Sequence, residues 1–376
     1  MAGAALCFCA CGGSGSTSEE PVVPTPTPEP EPAPIESTFA EGADISWVTE
    51  LEAEGHQFYN KAGEKRECTA LMKELGLNAI RLRVWVNPTK WCDKADVVVK
   101  AKRAAALGMD VMIDFHYSDD WADPSKQYKP AAWKGLALAD LKKALANHTK
   151  EVLQALKAEG VTPKWVQVGN EIRPGMLWDE DKALSGASWD VTENNVVKYP
   201  MNWGNLGAFV TTGYNAVKEV FPNAIVIVHL DNGYDEGLYT WFFDELKKNG
   251  GKWDMIGMSI YPYWTMQSNS TYTPEKTITD CIANVKKVSS RYNCDVMIVE
   301  TGMECGDDKG NLASTTVLNS GKQQLALLLK QCKENTNGRC KGVFYWEPEC
   351  RPGPYRLGAF TADGRPTVIM DAFAEN

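Results

Sequence analysis

The sequence predicts a single α/β domain folded as a (β/α)8, or TIM, barrel and preceded by a disordered leader. From residue 39 onward, short apolar runs alternate eight times with longer helical patterns, which is the order of a parallel sheet covered by helices. The apolar runs are nearly continuous, as in strands that are buried on both faces. Polar and aromatic residues follow these runs, so a barrel would gather them at one mouth.

Most of the predicted strands are apolar runs that contain Val or Ile, which favour strands. The strands cover residues 39–47, 78–86, 109–116, 164–171, 224–230, 255–261, 294–300 and 342–346. The helices cover 68–75, 96–107, 138–158, 203–221, 239–248, 274–292, 321–335 and 368–373. Gly76, Gly108 and Gly160 end three of these helices, as glycine commonly does. An open, doubly wound sheet is the alternative, and it is less favoured because no Gly-x-Gly-x-x-Gly loop follows an early strand.

Residues 1–37 are predicted to lie outside the folded domain, which would then comprise residues 38–376. A short apolar run ends in Phe8-Cys9-Ala10-Cys11 and resembles the end of a bacterial lipoprotein signal, with Cys11 as the lipidated residue. No Lys or Arg precedes the run, so a Cys-bearing leader without an anchor is the alternative. Residues 14–35 are dense in Pro, Ser, Thr and Glu and predict an extended tether.

The composition restricts the partners of the domain. A net charge of −10 over 376 residues argues against nucleic acid or an anionic membrane surface as partner. No run reaches the roughly 18 apolar residues of a membrane span. We therefore expect an extracytoplasmic monomer, secreted or on the bacterial cell surface, that touches a membrane only through a lipid anchor.

Two glutamates stand at the ends of predicted strands. Glu171 ends the run that begins at Lys164, and Glu300 ends the run that begins at Cys294. A carboxyl group at such a position is shielded from water by the neighbouring strands, and this burial can raise its pKa. It still faces the mouth of the barrel, where a substrate can reach it. Because 129 positions separate the two residues, only the fold can bring them together. We interpret them as a catalytic pair, the alternative being ordinary salt-bridge partners.

The other strand ends carry residue types that suit a sugar. Aromatic rings stack on the C–H face of a pyranose, while carboxylates, amides and imidazoles bind its hydroxyl groups. The predicted substrate-binding residues are Asp44, Arg83, His116, Trp121, Asn170, His229, Asp231, Tyr261, Trp264 and Trp346. Any one of these has an ordinary structural explanation, but their concentration at the strand ends does not.

Cleavage of a glycosidic bond needs the two carboxyl groups in different protonation states. One protonates the leaving oxygen, and the other attacks the anomeric carbon or activates water. Glu171 then requires less polar surroundings that keep it protonated. We expect Arg83 beside Glu300 to keep that group ionised, Tyr261 to hold Glu300 by a hydrogen bond, and Asn170 to bind the 2-hydroxyl group.

Several motifs closely resemble those of glycoside hydrolase family 53, the endo-β-1,4-galactanases. They are Gly42-Ala43-Asp44-Ile45-Ser46, Arg81-Leu82-Arg83-Val84-Trp85, the run from Asp114 to Pro124 (DFHYSDDWADP), Val168-Gly169-Asn170-Glu171-Ile172 and Tyr345-Trp346-Glu347-Pro348. The resemblance extends from about residue 39 to the C-terminus. It implies a retaining, endo-acting enzyme on β-1,4-galactan and arabinogalactan, with Glu171 as acid/base, Glu300 as nucleophile and Trp346 as the stacking wall at the cleaved sugar.

Two alternatives remain at this point. The chain could be a related β-1,4-mannanase or glucanase of the same barrel clan, or a non-catalytic surface protein that binds glycans. The second is disfavoured because both glutamates are present.

We expect no cofactor and no metal, since residues 347–356 are short beside the calcium-holding loop of bacterial family members. The spacing of Asp307, Asp308 and Asn311 favours a solvated turn over a calcium loop. The eight cysteines after the leader form no zinc pattern. Eight cysteines allow 105 disulfide pairings.

Overall fold

The computed structural model describes residues 38–178 and 202–374. The predicted leader, with Cys11 as its predicted site of lipidation, lies outside these residues. Among the residues described, no helix is long and apolar enough to cross a membrane.

The eight-stranded barrel predicted from the sequence is confirmed. The strands are β1 (Ala40–Asp44), β2 (Phe58–Tyr59), β3 (Lys65–Arg66), β4 (Ala79–Val84), β5 (Asp110–Phe115), β6 (Trp165–Val168), β7 (Ile225–Leu230), β8 (Met255–Ile260), β9 (Asp295–Thr301) and β10 (Cys340–Trp346). β2 and β3 form a separate antiparallel hairpin. The other eight close in the order β1-β4-β5-β6-β7-β8-β9-β10, with parallel pairing at every interface.

The helices surround the barrel. They are α1 (Val48–Ala53), α2 (Cys68–Glu74), α3 (Lys94–Ala106), α4 (Leu138–Ala158), α5 (Trp203–Val220), α6 (Glu236–Lys248), α7 (Pro262–Ser268), α8 (Pro274–Tyr292) and α9 (Thr315–Glu334). The closing element, Val368–Phe373, is a 3-10 helix. The sequence did not predict α1, α7 or the β2–β3 hairpin, which are short and belong to the connections.

Side-chain caps explain where two helices begin. The Asp235 carboxylate accepts a hydrogen bond from the backbone N–H of Leu238, and α6 therefore starts before the predicted residue 239. Ser314 accepts in the same way from Val317, so α9 starts before the predicted residue 321. Each cap satisfies a backbone donor that the first turn of a helix leaves unpaired.

The interior of the barrel has an apolar floor and a polar upper layer. Its floor is formed by Ala40, Ala79, Met112, Trp165, Ile227, Met255, Met297, Val299 and Phe344. Gly42 makes room for Phe344, since a Cβ there would lie 2.3 Å from the phenylalanine ring. Strand side chains alternate with period two. The next inward position after Ala79 is therefore Arg81, and that after Met112 is Asp114. These residues begin the polar layer.

The cysteines of the described residues are all unpaired thiols. Seven of them, Cys68, Cys92, Cys281, Cys305, Cys332, Cys340 and Cys350, are buried, and Cys294 is half-buried. Five of the buried ones, Cys68, Cys281, Cys305, Cys332 and Cys340, belong to the main hydrophobic core, where they pack as small apolar side chains.

Candidate active site

A cleft of about 550 Å³ opens at the carboxyl end of the barrel strands. Nine of the residues predicted for the site line it: His116, Trp121, Asn170, Glu171, Asp231, Tyr261, Trp264, Glu300 and Trp346. The parallel barrel explains this gathering, because all its strands end at the same mouth.

The chain after β6 bends so that Glu171 faces the cleft. Gly169 has φ +88°, and a Cβ there would lie 2.5 Å from the Ile172 side chain. Glu171 itself has φ +48°, a left-handed conformation that is uncommon outside glycine. Such backbone strain is concentrated at functional sites. The bend brings Asn170 and Glu171 to the cleft in succession.

Glu300 enters the cleft from β9 and is held from two sides. The Tyr261 hydroxyl donates to its Oε2 at 2.9 Å. Arg81 Nη2 lies 2.9 Å from its Oε1 in a buried ion pair. The expected hydrogen bond from Tyr261 is confirmed.

The two glutamates lie close enough for a retaining mechanism. Facing atoms of Glu171, Glu300 and His229 all lie within 4.8 Å of one another. Ser259 stands between the carboxyl groups, with its Oγ 2.6 Å from Glu171 and 3.4 Å from Glu300. Retaining glycosidases hold their carboxyl groups about 5–5.5 Å apart, whereas inverting enzymes leave roughly 6.5–9.5 Å for a water.

The surroundings separate the protonation states of the pair. Burial, followed by the charge of Glu300, raises the pKa of Glu171 well above its ordinary value. Burial also raises the pKa of Glu300, but there the Arg81 charge and the Tyr261 hydrogen bond oppose the change. Glu171 has no comparable cation among the causes of its shift. The pair therefore loses its first proton from Glu300, and Glu171 keeps its own.

Arg81, not Arg83, is the arginine beside Glu300, and the expectation for Arg83 is wrong. Arg81 lies opposite Asp44 in the pairing of β1 with β4 and points into the polar layer. Arg83 lies two residues nearer the mouth, about 6.6 Å further along the strand. It forms an ion pair with Glu347 instead.

Asp44, Arg83 and His229, all predicted to bind substrate, are buried and do not line the cleft. Their exposed fractions are 0%, 1% and 0%. Asp44 accepts a hydrogen bond from Arg81 at 2.7 Å, and His229 Nε2 lies 2.7 Å from Ser259 Oγ. The prediction that these three residues contact the sugar is therefore corrected: they lie behind the cleft residues and support them.

Some residues of the site were missed by sequence reasoning. Those that line the cleft include Trp47, Ser259 and Tyr355. Arg81 and Gln167 lie beneath it, and Arg81 Nε donates to Gln167 Oε1 at 2.7 Å. The signal for Arg81 and Gln167 was present, since a charged or amide side chain in the middle of an apolar strand is unusual.

His116 and Asn170 are fixed by the polar layer. His116 Nδ1 accepts from Trp85 Nε1 and from the backbone N–H of Ala122, both at 3.1 Å. Its Nε2 lies 3.0 Å from Asp114, so Nε2 carries the proton. Asn170 Oδ1 accepts from Arg81 at 2.9 Å. These contacts fix the His116 ring and the Asn170 amide where they line the cleft.

Three tryptophans form one wall of the cleft, which we call the tryptophan wall: Trp47, Trp121 and Trp346. Their ring centroids lie 5.4 Å (Trp47–Trp121), 5.5 Å (Trp47–Trp346) and 5.8 Å (Trp121–Trp346) apart. Tyr355 extends the wall, 4.6 Å from Trp346. Such a surface suits the apolar face of a sugar ring.

Asp231 and Trp264 line other parts of the cleft. Asp231 accepts two hydrogen bonds from Arg173, at 2.9 and 3.0 Å, and burial raises its pKa while Arg173 opposes the change. Trp264 is 44% exposed, so it presents an aromatic face where the cleft meets the surface.

Glu171, His229 and Glu300 are the group among the described residues whose ligand atoms could converge on one metal ion. Both nitrogens of His229 already have partners, Ser259 for Nε2 and Gln167 for Nδ1. Arg81 already places a positive charge against Glu300. The donor set therefore fits a proton-transferring pair better than a cation site.

Comparison with known proteins identifies the family. The model of glycosyl hydrolase family 53 matches residues 40–361. The chain belongs to glycosyl hydrolase family 53. An endo-beta-1,4-galactanase of Bacillus subtilis is 32% identical over 84% of this chain and 71% of its own length. An arabinogalactan endo-beta-1,4-galactanase of Cellvibrio japonicus is 32% identical over 82% of this chain and 80% of its own.

Solved structures resemble this family 53 chain over nearly their whole length. A structure of fungal beta-1,4-galactanases has a TM-score of 0.75 at 26% identity, covering 90% of this chain and 99% of its own. The family 53 catalytic domain of Ignisphaera aggregans has a TM-score of 0.75 at 27% identity, covering 94% and 99%. A xylanase from Thermoanaerobacterium saccharolyticum, at 15% identity and a TM-score of 0.57, shares the fold alone.

Proposed function

We propose that this family 53 chain is a retaining endo-β-1,4-galactanase acting on galactan and type I arabinogalactan. The observation that carries the proposal is the pair of carboxyl groups, with facing atoms within 4.8 Å, in a cleft walled by tryptophans. Relatives at about a third identity bear the galactanase name, which supports β-1,4-galactan as the substrate over mannan or glucan.

In the first step, Glu171 acts as the acid and Glu300 as the nucleophile. Glu171 donates its proton to the glycosidic oxygen while a Glu300 oxygen attacks the anomeric carbon. The bond to the leaving sugar breaks, and an ester between the galactosyl unit and Glu300 forms. Arg81 and Tyr261 keep Glu300 ionised and aligned, which favours attack by the carboxylate.

In the second step, Glu171 acts as a base. Formation of the ester removes the negative charge of Glu300, which is one cause of the raised pKa of Glu171. The pKa of Glu171 therefore falls once its proton has left, and its carboxylate can take a proton from water. That water attacks the anomeric carbon, and Glu300 departs as a carboxylate. Two displacements preserve the β configuration.

The cleft residues supply sugar binding. The tryptophan wall stacks on a galactosyl ring, and Trp264 offers a second ring face at the surface end. Asn170 and Asp231 bind hydroxyl groups, with Asn170 at the 2-hydroxyl. The ring nitrogens of His116 are both engaged, so His116 contributes ring surface to the cleft. We assign no cofactor to the reaction, because acid, base and nucleophile are all side chains of this chain.

The test is hydrolysis of β-1,4-galactan beside β-mannan and β-glucan, with chain length followed over time. We expect rapid shortening of galactan with mixed short products, and none from the other two polymers. Glu171→Gln and Glu300→Gln should abolish turnover while retaining binding. Cleavage of mannan or glucan alone would refute the substrate, and full activity in either variant would refute the pair.

We also propose that the protein acts outside the cytoplasm as a monomer, anchored through Cys11. The leader sequence, with its apolar run and the Pro-rich tether of residues 14–35, supports export and anchoring. Metabolic labelling with an alkyne fatty acid should tag the full chain, and Cys11→Ser should lose the tag while Cys9→Ser keeps it. Equal labelling of both variants would refute the anchor.

A further inference from the structure

Arg83 is a buried cation behind the tryptophan wall. Its side chain is 1% exposed, and its guanidinium carbon lies 4.2 Å from the ring centroid of Trp121 and 5.2 Å from those of Trp47 and Trp85. Within the described part of the chain, its Nε and Nη2 have no hydrogen-bond partner. The indole faces surround the charge instead, which is the arrangement of a cation–π contact.

Glu347 links this cation to the backbone of the wall. Its Oε1 pairs with Arg83 Nη1, and its Oε2 accepts a hydrogen bond from the backbone N–H of Trp47 at 3.1 Å. Glu347 directly follows Trp346 and has φ +47°. One buried carboxylate is therefore connected to two members of the wall, and through Arg83 to the third.

Glu349 is a second buried carboxyl group behind the wall, close to Glu347. It is 3% exposed, and neither of its carboxyl oxygens accepts a hydrogen bond from the described residues. Burial, followed by the charge of Glu347, raises the pKa of Glu349 well above its ordinary value. This raised pKa favours the protonated form of Glu349, and the guanidinium of Arg83 pairs with Glu347.

Resting on the proposed function, we propose that Arg83 and Glu347 are positioning residues that hold the tryptophan wall in the orientation for stacking on a galactosyl ring. Neither lines the cleft, and neither contacts Glu171 or Glu300 among the contacts described. Arg81, two residues earlier on β4, contacts Glu300. The two inward arginines of β4 thus have different roles. Arg81 supports the chemical step, and Arg83 supports the affinity for substrate.

The decisive variant combines Arg83→Met with Glu347→Gln. Removing one charge alone would leave the other buried and unpaired, which is strongly destabilising. Methionine keeps most of the arginine length, and glutamine keeps an oxygen for the Trp47 N–H. We expect the KM for β-1,4-galactan to rise about tenfold through loss of the cation–π contacts, with kcat and its pH profile unchanged.

A matched control removes another paired arginine. Arg291 forms a two-point ion pair with Asp244 between α8 and α6. Arg291→Met with Asp244→Asn should leave KM and kcat at their wild-type values. If the first double variant fails to fold, Arg83→Lys replaces it. Lysine keeps the pair with Glu347 but not the planar guanidinium, so KM should still rise.

Binding in the absence of turnover separates this inference from the proposed function. Calorimetry with β-1,4-galactotetraose should show about tenfold weaker binding when the double substitution is added to Glu300→Gln. An unchanged KM and affinity would overturn the positioning role, as would a lower kcat with a shifted pH profile. If the affinity for the tetraose depends on Arg83 and Glu347 but the wild-type protein never cleaves galactan, the proposed function alone is refuted.

Discussion

Shortening Glu300 to aspartate tests the geometry of the catalytic pair directly. A carboxyl oxygen of Glu300 lies within 4.8 Å of its counterpart on Glu171. Glu300→Asp removes one methylene and withdraws the carboxylate by about 1.5 Å. The gap to Glu171 then widens by up to about 1.5 Å, and the attacking oxygen is withdrawn from the anomeric carbon by a similar distance. The withdrawn group also moves away from Tyr261 and Arg81.

The expected loss of activity follows from this displacement. A misplacement of about 1 Å costs on the order of 10²-fold in rate, so kcat on β-1,4-galactan should fall roughly 10²–10³-fold. Release of reducing ends measures the rate. The fall should remain with an activated aryl galactoside, because a good leaving group does not replace a nucleophile. Glu171→Asp should recover with that substrate, because protonation of the leaving group is no longer needed.

A conservative control and a stereochemical measurement complete the test. Glu275→Asp, an exposed residue in the first turn of α8, should retain wild-type kcat. Proton NMR of the first wild-type products should show the β-anomer before mutarotation. A Glu300→Asp variant within tenfold of wild type, or an α-anomer as first product, would refute the assignment of Glu300 as nucleophile.

Three further substitutions probe the groups that surround the pair. Tyr261→Phe removes the hydrogen bond that lowers the pKa of Glu300, so the acidic limb of kcat/KM should move to higher pH; a superimposable profile would contradict this. Arg81→Lys keeps the charge but loses the fork that contacts three carboxylates. Its kcat should fall about 10²-fold and its unfolding free energy by about 1–3 kcal/mol, as urea titration would measure, and unchanged values would exclude this role. The pKa of Glu349 is higher in the folded state than in the unfolded state. Glu349 therefore does not destabilise the fold at low pH, where it is protonated in both states, and it lowers the unfolding free energy increasingly as the pH rises above the unfolded pKa. Glu349→Gln should therefore melt at the wild-type temperature in acid and above it near neutral pH, whereas a constant difference would point to another cause.

The sequence predicted the barrel because each strand is buried on both faces. A covered parallel strand must be apolar almost throughout, so most strands stood out as short apolar runs, although β1 contains no Val, Ile or Met. The short elements of the connections were missed for the opposite reason. α7, for example, has only seven residues, and only two of them are buried, Pro262 and Thr265. Such a segment carries little hydrophobic periodicity for sequence reasoning to detect.

The height of a strand residue along the barrel axis could not be predicted from the sequence. Arg81 and Arg83 share one face of β4 and differ only in height along the barrel axis. Which of them meets Glu300 depends on the stagger between strands, and that is set by pairings such as Asp44 with Arg81. The prediction of an arginine near Glu300 was therefore correct, but the residue is Arg81 and not Arg83.

The direction in which Glu300 points was also hidden, and a bulge in β9 determines it. Met297 and Val299 both face the barrel interior, so strict alternation would aim Glu300 outward at the helices. The pairing with β8 shifts between Met258 and Ser259, which leaves Val299 as an extra residue and sets Glu300 opposite Ser259. A bulge of this kind redirects the side chain that follows it. The same apolar run can thus fill the barrel floor and deliver a carboxylate to the cleft one residue later.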